Sequence, residues 1–233
     1  MVESLKTIGS LRRWLVLAVL CLPAGHAHAE DTGFEASFRV GYAFPLGNVS
    51  GANDSKLSDG VSGQLPLMLD VGYRVLPNLF IGVYGQYGFA FVGDAFDEVC
   101  NDSSPVDCSA HDIRLGIEGH YHFRPQHDFD PWVGIGFGYE WLNISAGRGD
   151  IESSSTMHGF EFFNLQVGLD VLVTRHFYAG PFVSMSFSQF SELSISCKGV
   201  PAGGCDAFDG STNISDKALH EWLMLGVRGS FAP

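Results

Sequence analysis

From Leu79 to Val92 the chain alternates with a period of two. Leu79, Ile81, Val83, Gly85, Tyr87, Phe89 and Phe91 form one set, and the positions between them, from Phe80 to Val92, carry no charge either. Such alternation marks an extended strand whose successive side chains point to opposite sides. The pattern recurs along the chain and predicts strands at about 34–45, 63–76, 79–92, 111–123, 131–144, 161–174, 177–190 and 219–231. The connections between them alternate in character. Leu76-Pro77-Asn78, residues 124–130 and Arg175-His176 are short turns, whereas 46–62, 93–110, 145–160 and 191–218 are long and rich in Asp, Ser, Gly and Asn.

Sorting each strand by parity separates two chemistries. One parity holds Phe38, Val40 and Tyr42, then Leu65, Leu67 and Leu69, then Ile113, Leu115 and Ile117, and later Leu165, Val167 and Leu169 and Leu223, Leu225 and Val227. Charge enters this set only through Glu161 and Glu221, which fall at the outer ends of their strands. The other parity carries many glycines together with Glu35, Arg39, Asp70, Arg74, Asp112, Arg114, Glu118, Glu140, Asp170 and Arg228. A cation on a lipid-facing position at mid-bilayer costs about 2 to 4 kcal/mol, so this sorting points to lipid on the apolar side and to a polar interior on the other.

Lipid admits only helices and closed barrels, because every backbone N–H and C=O must be satisfied internally. After residue 30 no stretch is apolar and long enough for a spanning helix. The expectation is therefore an all-β fold, an eight-stranded antiparallel up-and-down transmembrane barrel with short periplasmic turns and long extracellular loops, occupying residues 30–233 as one domain. An eight-stranded interior is just wide enough for side chains to fill. Four arginines among six carboxylates there predict a hydrogen-bonded ion-pair network that plugs the lumen.

The first 29 residues have the form of an export signal. Lys6, Arg12 and Arg13 precede an apolar run from Trp14 to Ala24, and Ala27-His28-Ala29 offers a cleavage site. The whole chain has 13 Lys and Arg against 26 Asp and Glu. The leader takes three of the former and one of the latter, which leaves a net charge of about −15 and makes nucleic acid an unsuitable partner. Four cysteines remain beyond the leader. Cys100 and Cys108 stand eight apart, as do Cys197 and Cys205, and in an exported chain this spacing predicts two local disulfides.

Other chemistries find weaker footing. A nucleophile with a base and an acid is conceivable at the rim from Ser155, His158 and Glu161 or from Ser215, His220 and Glu221, although Ser-rich acidic loops produce such neighbours by chance. His120 and His122 share the inward parity near His127, where polar filling of the periplasmic mouth is the plainer reading than metal binding. The acidic loops at Asp94, Asp97, Glu98, Asp102 and Asp107 and at Asp206, Asp209 and Asp216 lack the spacing of a calcium loop. Gly134-Ile135-Gly136-Phe137-Gly138 is continued by strand residues and not by a helix, which removes the nucleotide-loop reading.

The leader, the strand count, the loop alternation and the closing strand from Trp222 to Phe231 together resemble the small eight-stranded outer-membrane barrels of Gram-negative bacteria, of the OmpA transmembrane domain, OmpX and OmpW type. The resemblance implies residence in the bacterial outer membrane among lipid and lipopolysaccharide, and insertion by the barrel assembly machinery, which reads a last strand ending in an aromatic residue. Here Ala232 and Pro233 follow Phe231, and Gly229 stands where an apolar residue is usual. No cofactor and no enzymatic activity are implied. The expected role is structural or one of surface contact, with a narrow passage for small solutes or apolar molecules as the alternative. A fold alone does not decide between these.

Overall fold

The computed structural model describes residues 32–51, 55–96, 98–100, 105–125, 127–199 and 210–232. Eight antiparallel strands close into a barrel: β1 Gly33–Ser50, β2 Val61–Leu76, β3 Leu79–Val92, β4 Asp107–His122, β5 Phe129–Arg148, β6 Ile151–Thr174, β7 Phe177–Lys198 and β8 His220–Phe231. Each strand pairs with its sequence neighbours, and β8 closes the ring on β1, from Ala36 opposite Phe231 to Gly47 opposite His220. Closure leaves no unpaired sheet edge around the ring, which is the condition for residing in lipid.

At the periplasmic end the strands begin and stop within two residues of the alternation. At the other end they run further than it. The segment 145–160, expected as a loop, is a hairpin in which β5 and β6 stay paired up to Arg148 opposite Ile151, and Gly149 takes the turn at φ 61°. Similarly, β7 continues to Lys198 and is flanked from Glu192 to Ile195 by a short strand, Gly210–Asn213. Serine is the commonest residue there, and it obscured an alternation that the pairing nevertheless maintains.

These extensions form a crown above the membrane belt, and the crown has an apolar interior. A one-turn helix, Leu57–Gly60, and a 3-10 turn, Asp94–Phe96, fold over the barrel mouth. Leu57 and Val61 pack with Leu142, Ile144 and Phe190 from the strands, and Val49, Val92, Phe96, Met157 and Ile214 surround them. A disulfide between Cys100 and Cys108 ties the loop after β3 to the start of β4. Cys205 lies outside the described residues, and Cys197 makes no disulfide with any residue inside them.

Two bulges adjust which side chains face in. The β5–β6 register shifts between Gly136 and Gly138, and the β6–β7 register shifts between Glu161 and Phe163. One residue is therefore absorbed near Phe162, so Phe160, Phe162 and Phe163 all face outward while Glu161, placed by parity on the lipid side, turns into the lumen with 1% exposure. A second shift, between His158 and Gly159 of β6, absorbs Ser191 of β7. Above it Leu193 lies opposite Met157 and Ile195 opposite Ser155, which aligns them with Leu142 and Ile144 on the inner face.

Candidate functional site

The lumen is the most heavily organised part of the molecule. All ten charged residues assigned by parity to the interior are buried there, and they fall into three tiers. In the periplasmic tier Glu35 joins Arg74 at 2.8 Å and Arg228 at 2.9 Å, and Arg228 also meets Asp170. In the middle tier the Arg39 guanidinium donates to Asp70 at 2.7 Å, to Glu118 at 3.0 Å and to the Gln166 carbonyl at 2.6 Å. In the outer tier Arg114 reaches Asp112 at 2.9 Å, Glu140 at 3.3 Å and Glu161 at 3.5 Å.

These pairs tolerate burial because neutral donors complete them. Ser37 donates to Asp70, Gln166 to Glu118, Trp132 to Asp170 and Trp222 to Glu140, while Tyr84 and Asn164 donate to Glu161. Desolvated charges are costly unless both partners and their remaining lone pairs are met, and this web meets most of them. Aromatic rings fill the space between tiers. Trp132 lies 4.8 Å from the Arg228 guanidinium and 5.7 Å from that of Arg39, and Trp222 lies 5.4 Å from that of Arg114. Glycine makes room for these rings. A Cβ on Gly168 would stand 2.5 Å from Trp132, and one on Gly116 would stand 2.5 Å from Tyr84.

Parity alone assigned the charges and overlooked the fillers. Phe80, Tyr84, Trp132, Phe182 and Trp222 are buried in the lumen, although their residue types are the ones expected to meet lipid. The available signal was position: each shares parity with a charged residue of its own or a neighbouring strand.

The rim candidates for catalysis are not brought together as expected. His158 shares a 2.6 Å hydrogen bond with the Tyr139 hydroxyl and lies 3.7 Å from Glu192, while Glu161 points into the lumen. His220 is inside the barrel, bonded to Glu140 at 3.0 Å, and Glu221 sits on the opposite face of β8, across from Phe187. His122 pairs with Asp130 at 2.7 Å, and His120 is wedged between Phe80 and Trp132. Among the described residues no three His, Cys, Asp or Glu side chains gather as a metal site would require. Of the acidic loop residues, Asp97, Asp102, Asp206 and Asp209 lie outside the described residues.

The barrel exterior is apolar throughout the belt. Leu69, Val83, Ile117, Leu165, Val167 and Val227 are each about half exposed. Tyr139 packs on Trp141 at 4.6 Å and on Phe160 at 5.0 Å near the outer rim, and Tyr121 packs on Phe123 at 5.2 Å near the inner one. Two aromatic girdles bounding an apolar band are what a bilayer of fixed thickness imposes.

The family model of the outer membrane protein beta-barrel domain matches residues 15–181. Among solved structures, the chain is similar to a major outer membrane protein from Thermus thermophilus, at 12% identity over 88% of this chain and 100% of that one, with a TM-score of 0.49. It is similar to the outer membrane protein OprG from Pseudomonas aeruginosa, at 11% identity over 88% and 99% of the two chains, with a TM-score of 0.45. It is also similar to the E. coli outer membrane protein W, at 17% identity over 88% and 100%, with a TM-score of 0.38. No curated protein matches the sequence.

Proposed function

We propose a non-enzymatic role for this chain, which belongs to the outer membrane protein beta-barrel domain family and resides in the bacterial outer membrane: a barrel with a closed lumen that stabilises the membrane or presents its crown for surface contact. Residues 1–29 serve as its export signal, and the barrel assembly machinery inserts it. One observation carries the closed reading. The axis is filled by ion-paired tiers beneath an apolar cap, and the cavity within the outer tier measures about 10 Å³, room for about one water.

Two features support the absence of catalysis. The rim histidines are committed to Tyr139 and Glu140, and among the described residues no hydrogen bond joins either ring to a serine hydroxyl, as a nucleophile and its base would require. The crown supports the surface role. Its outer face carries polar pairs such as Asn143 with Thr156 at 2.7 Å and Ser145 with Asn143 at 2.9 Å. Conductance of the refolded protein in planar bilayers tests the proposal. The expected trace is that of the bare membrane. Discrete steps in the wild-type protein, enlarged by Arg114→Ala or Glu118→Ala, would favour a passage for small solutes instead.

A further inference from the structure

Two adjoining grooves mark the lipid-facing wall of the barrel. The larger, about 650 Å³, crosses β4, β5 and β6 just beneath the outer girdle and is walled by Leu115, Ile117, Phe137, Tyr139, Phe160 and Phe162. The bulge helps to form it, because Phe162, the residue absorbed there, adds a ring at its β6 end. The second, about 380 Å³, opens beside it and nearer mid-span at Gly85 of β3, an outward position paired with Leu69 on one side and Leu115 on the other. A Cβ on Gly85 would meet only Leu115, at 3.3 Å, so the glycine leaves a gap between the two leucines. Leu115 borders both grooves.

Above the larger groove the wall changes chemistry within two rows of side chains. Cross-strand pairing sets Trp141 beside His158 one row above Tyr139, and His111, Asn143 and Thr156 together in the row above that. His111 stacks on Tyr87, which lines the smaller groove, at 5.7 Å. His158 is bonded through Nδ1 to the Tyr139 hydroxyl, and its partly exposed Nε2 faces Glu192 at 3.7 Å, longer than a hydrogen bond. No Lys or Arg belongs to these rows, so an occupant brings hydrocarbon to the grooves and uncharged hydrogen-bonding groups to the rim. The grooves lie about two strands apart, which is about 10 Å. The two chains of a glycerophospholipid leave one glycerol and pack side by side, whereas lipid A spreads its chains over a glucosamine disaccharide and joins them through amides and esters. The outer girdle also meets the leaflet that lipopolysaccharide occupies. We infer that this wall binds one molecule of lipid A, with an acyl chain in each groove and the chain linkages and sugar at His111, Asn143 and His158.

Both grooves open to lipid, so this binding is independent of whether the lumen conducts. Native mass spectrometry of the detergent-solubilised protein tests it, with hexa-acylated lipid A and phosphatidylethanolamine as the probes. The wild-type protein should hold one lipid A at collision energies that strip phosphatidylethanolamine. Gly85→Leu fills one groove and Phe160→Ala removes a wall of the other, both on the lipid face, and each should weaken lipid A binding about tenfold. Gly119→Leu is the control. Gly119 also faces outward, but between Ile81 and Ile135 in the inner half of the belt, and filling that position should leave the affinity for lipid A unchanged. Heat modifiability on cold gels establishes that each variant is folded. Equal retention of the two lipids by the wild-type protein overturns the inference, and so does an affinity for lipid A that Gly85→Leu and Phe160→Ala lower no more than Gly119→Leu does.

Discussion

In the belt, Ile117, Leu165 and Val167 face outward while Arg39, Glu118 and Asp170 face the axis; in the crown, Leu142, Ile144 and Phe190 face the axis while Ser109 and Glu152 face outward. The same strands pass through both regions, so they must exchange chemistries without breaking their ladders. The reason is the solvent. Lipid rewards apolar exteriors and leaves charges to pair inside, whereas water rewards the soluble arrangement with an apolar core. The crown is thus a small water-exposed barrel built on top of a membrane one. Its core of Leu57, Val61, Leu142, Ile144 and Phe190 seals the mouth that the ion pairs fill from below.

On β5 the exchange is one of residue type at constant parity, but on β6 and β7 it turns on a bulge in each, so the largest effect should come from removing one. Deletion of Phe162 restores strict alternation along β6 and drives Glu161 to the lipid side, parting it from Arg114 and Tyr84. It also turns Met157 away from the crown core. We expect no folded barrel in liposomes, measured as loss of the heat-modifiable band on cold gels. A folded protein with wild-type mobility would show that the bulge is incidental and the inversion does not depend on it.

This same feature marks where the sequence stopped being legible. In the belt, a period of two, paired short turns and the absence of charge on one face are local signals, and lipid forces every strand to obey them, so the strand number, the ring and both faces could be read from residues such as Ile113, Leu115 and Ile117 beside Arg114 and Glu118. A bulge has no local signal. Nothing in Glu161-Phe162-Phe163-Asn164 announces that two adjacent phenylalanines share one face, and the register of β5 and β7 is what decides it. The crown was hidden for another reason. Runs such as Ser153-Ser154-Ser155 have the composition of loops, and they form strands because Ile144 and Ile195 opposite Ser155 supply the buried contacts. Inside the lumen, charges were visible and their partners were not. Parity places position 166 on the polar inner face, but Gln166 accepts from Arg39 and donates to Glu118, so in Gln166→Arg the new guanidinium faces a like charge and parts a buried pair.

A cleaner probe of the belt is Val167, which is 53% exposed at mid-strand and sits between Gln166 and Gly168 on the outer wall. Val167→Arg should destabilise the barrel by about 2 to 4 kcal/mol in liposomes, because the guanidinium meets hydrocarbon. Urea unfolding followed by Trp fluorescence measures it. In the crown the same substitution on an outward, exposed position, Ser109→Arg, should fall within about 0.5 kcal/mol of wild type, since that face meets water. Equal losses at both positions would erase the distinction between the two regions.

The smallest effect is expected at Glu221, and it discriminates between two carboxylates that parity treats alike. The alternation places Glu161 and Glu221 alike, at outer strand ends on the apolar register, yet Glu161 lies within β6 and is turned inward by the bulge while Glu221 remains outside, opposite Leu46 and Phe187. Beside the aromatic rim its carboxylate reaches headgroups and water, so it needs no internal partner. Glu221→Gln should therefore change unfolding by no more than about 0.5 kcal/mol. Glu161→Gln takes a full negative charge from the Arg114 tier and alters the hydrogen bonds with Tyr84 and Asn164, and should change it by more. If the two variants proved equally mild, the inward turn at Phe162 would contribute nothing to the lumen network, and the upper half of β6 would have to be reassigned to the lipid side.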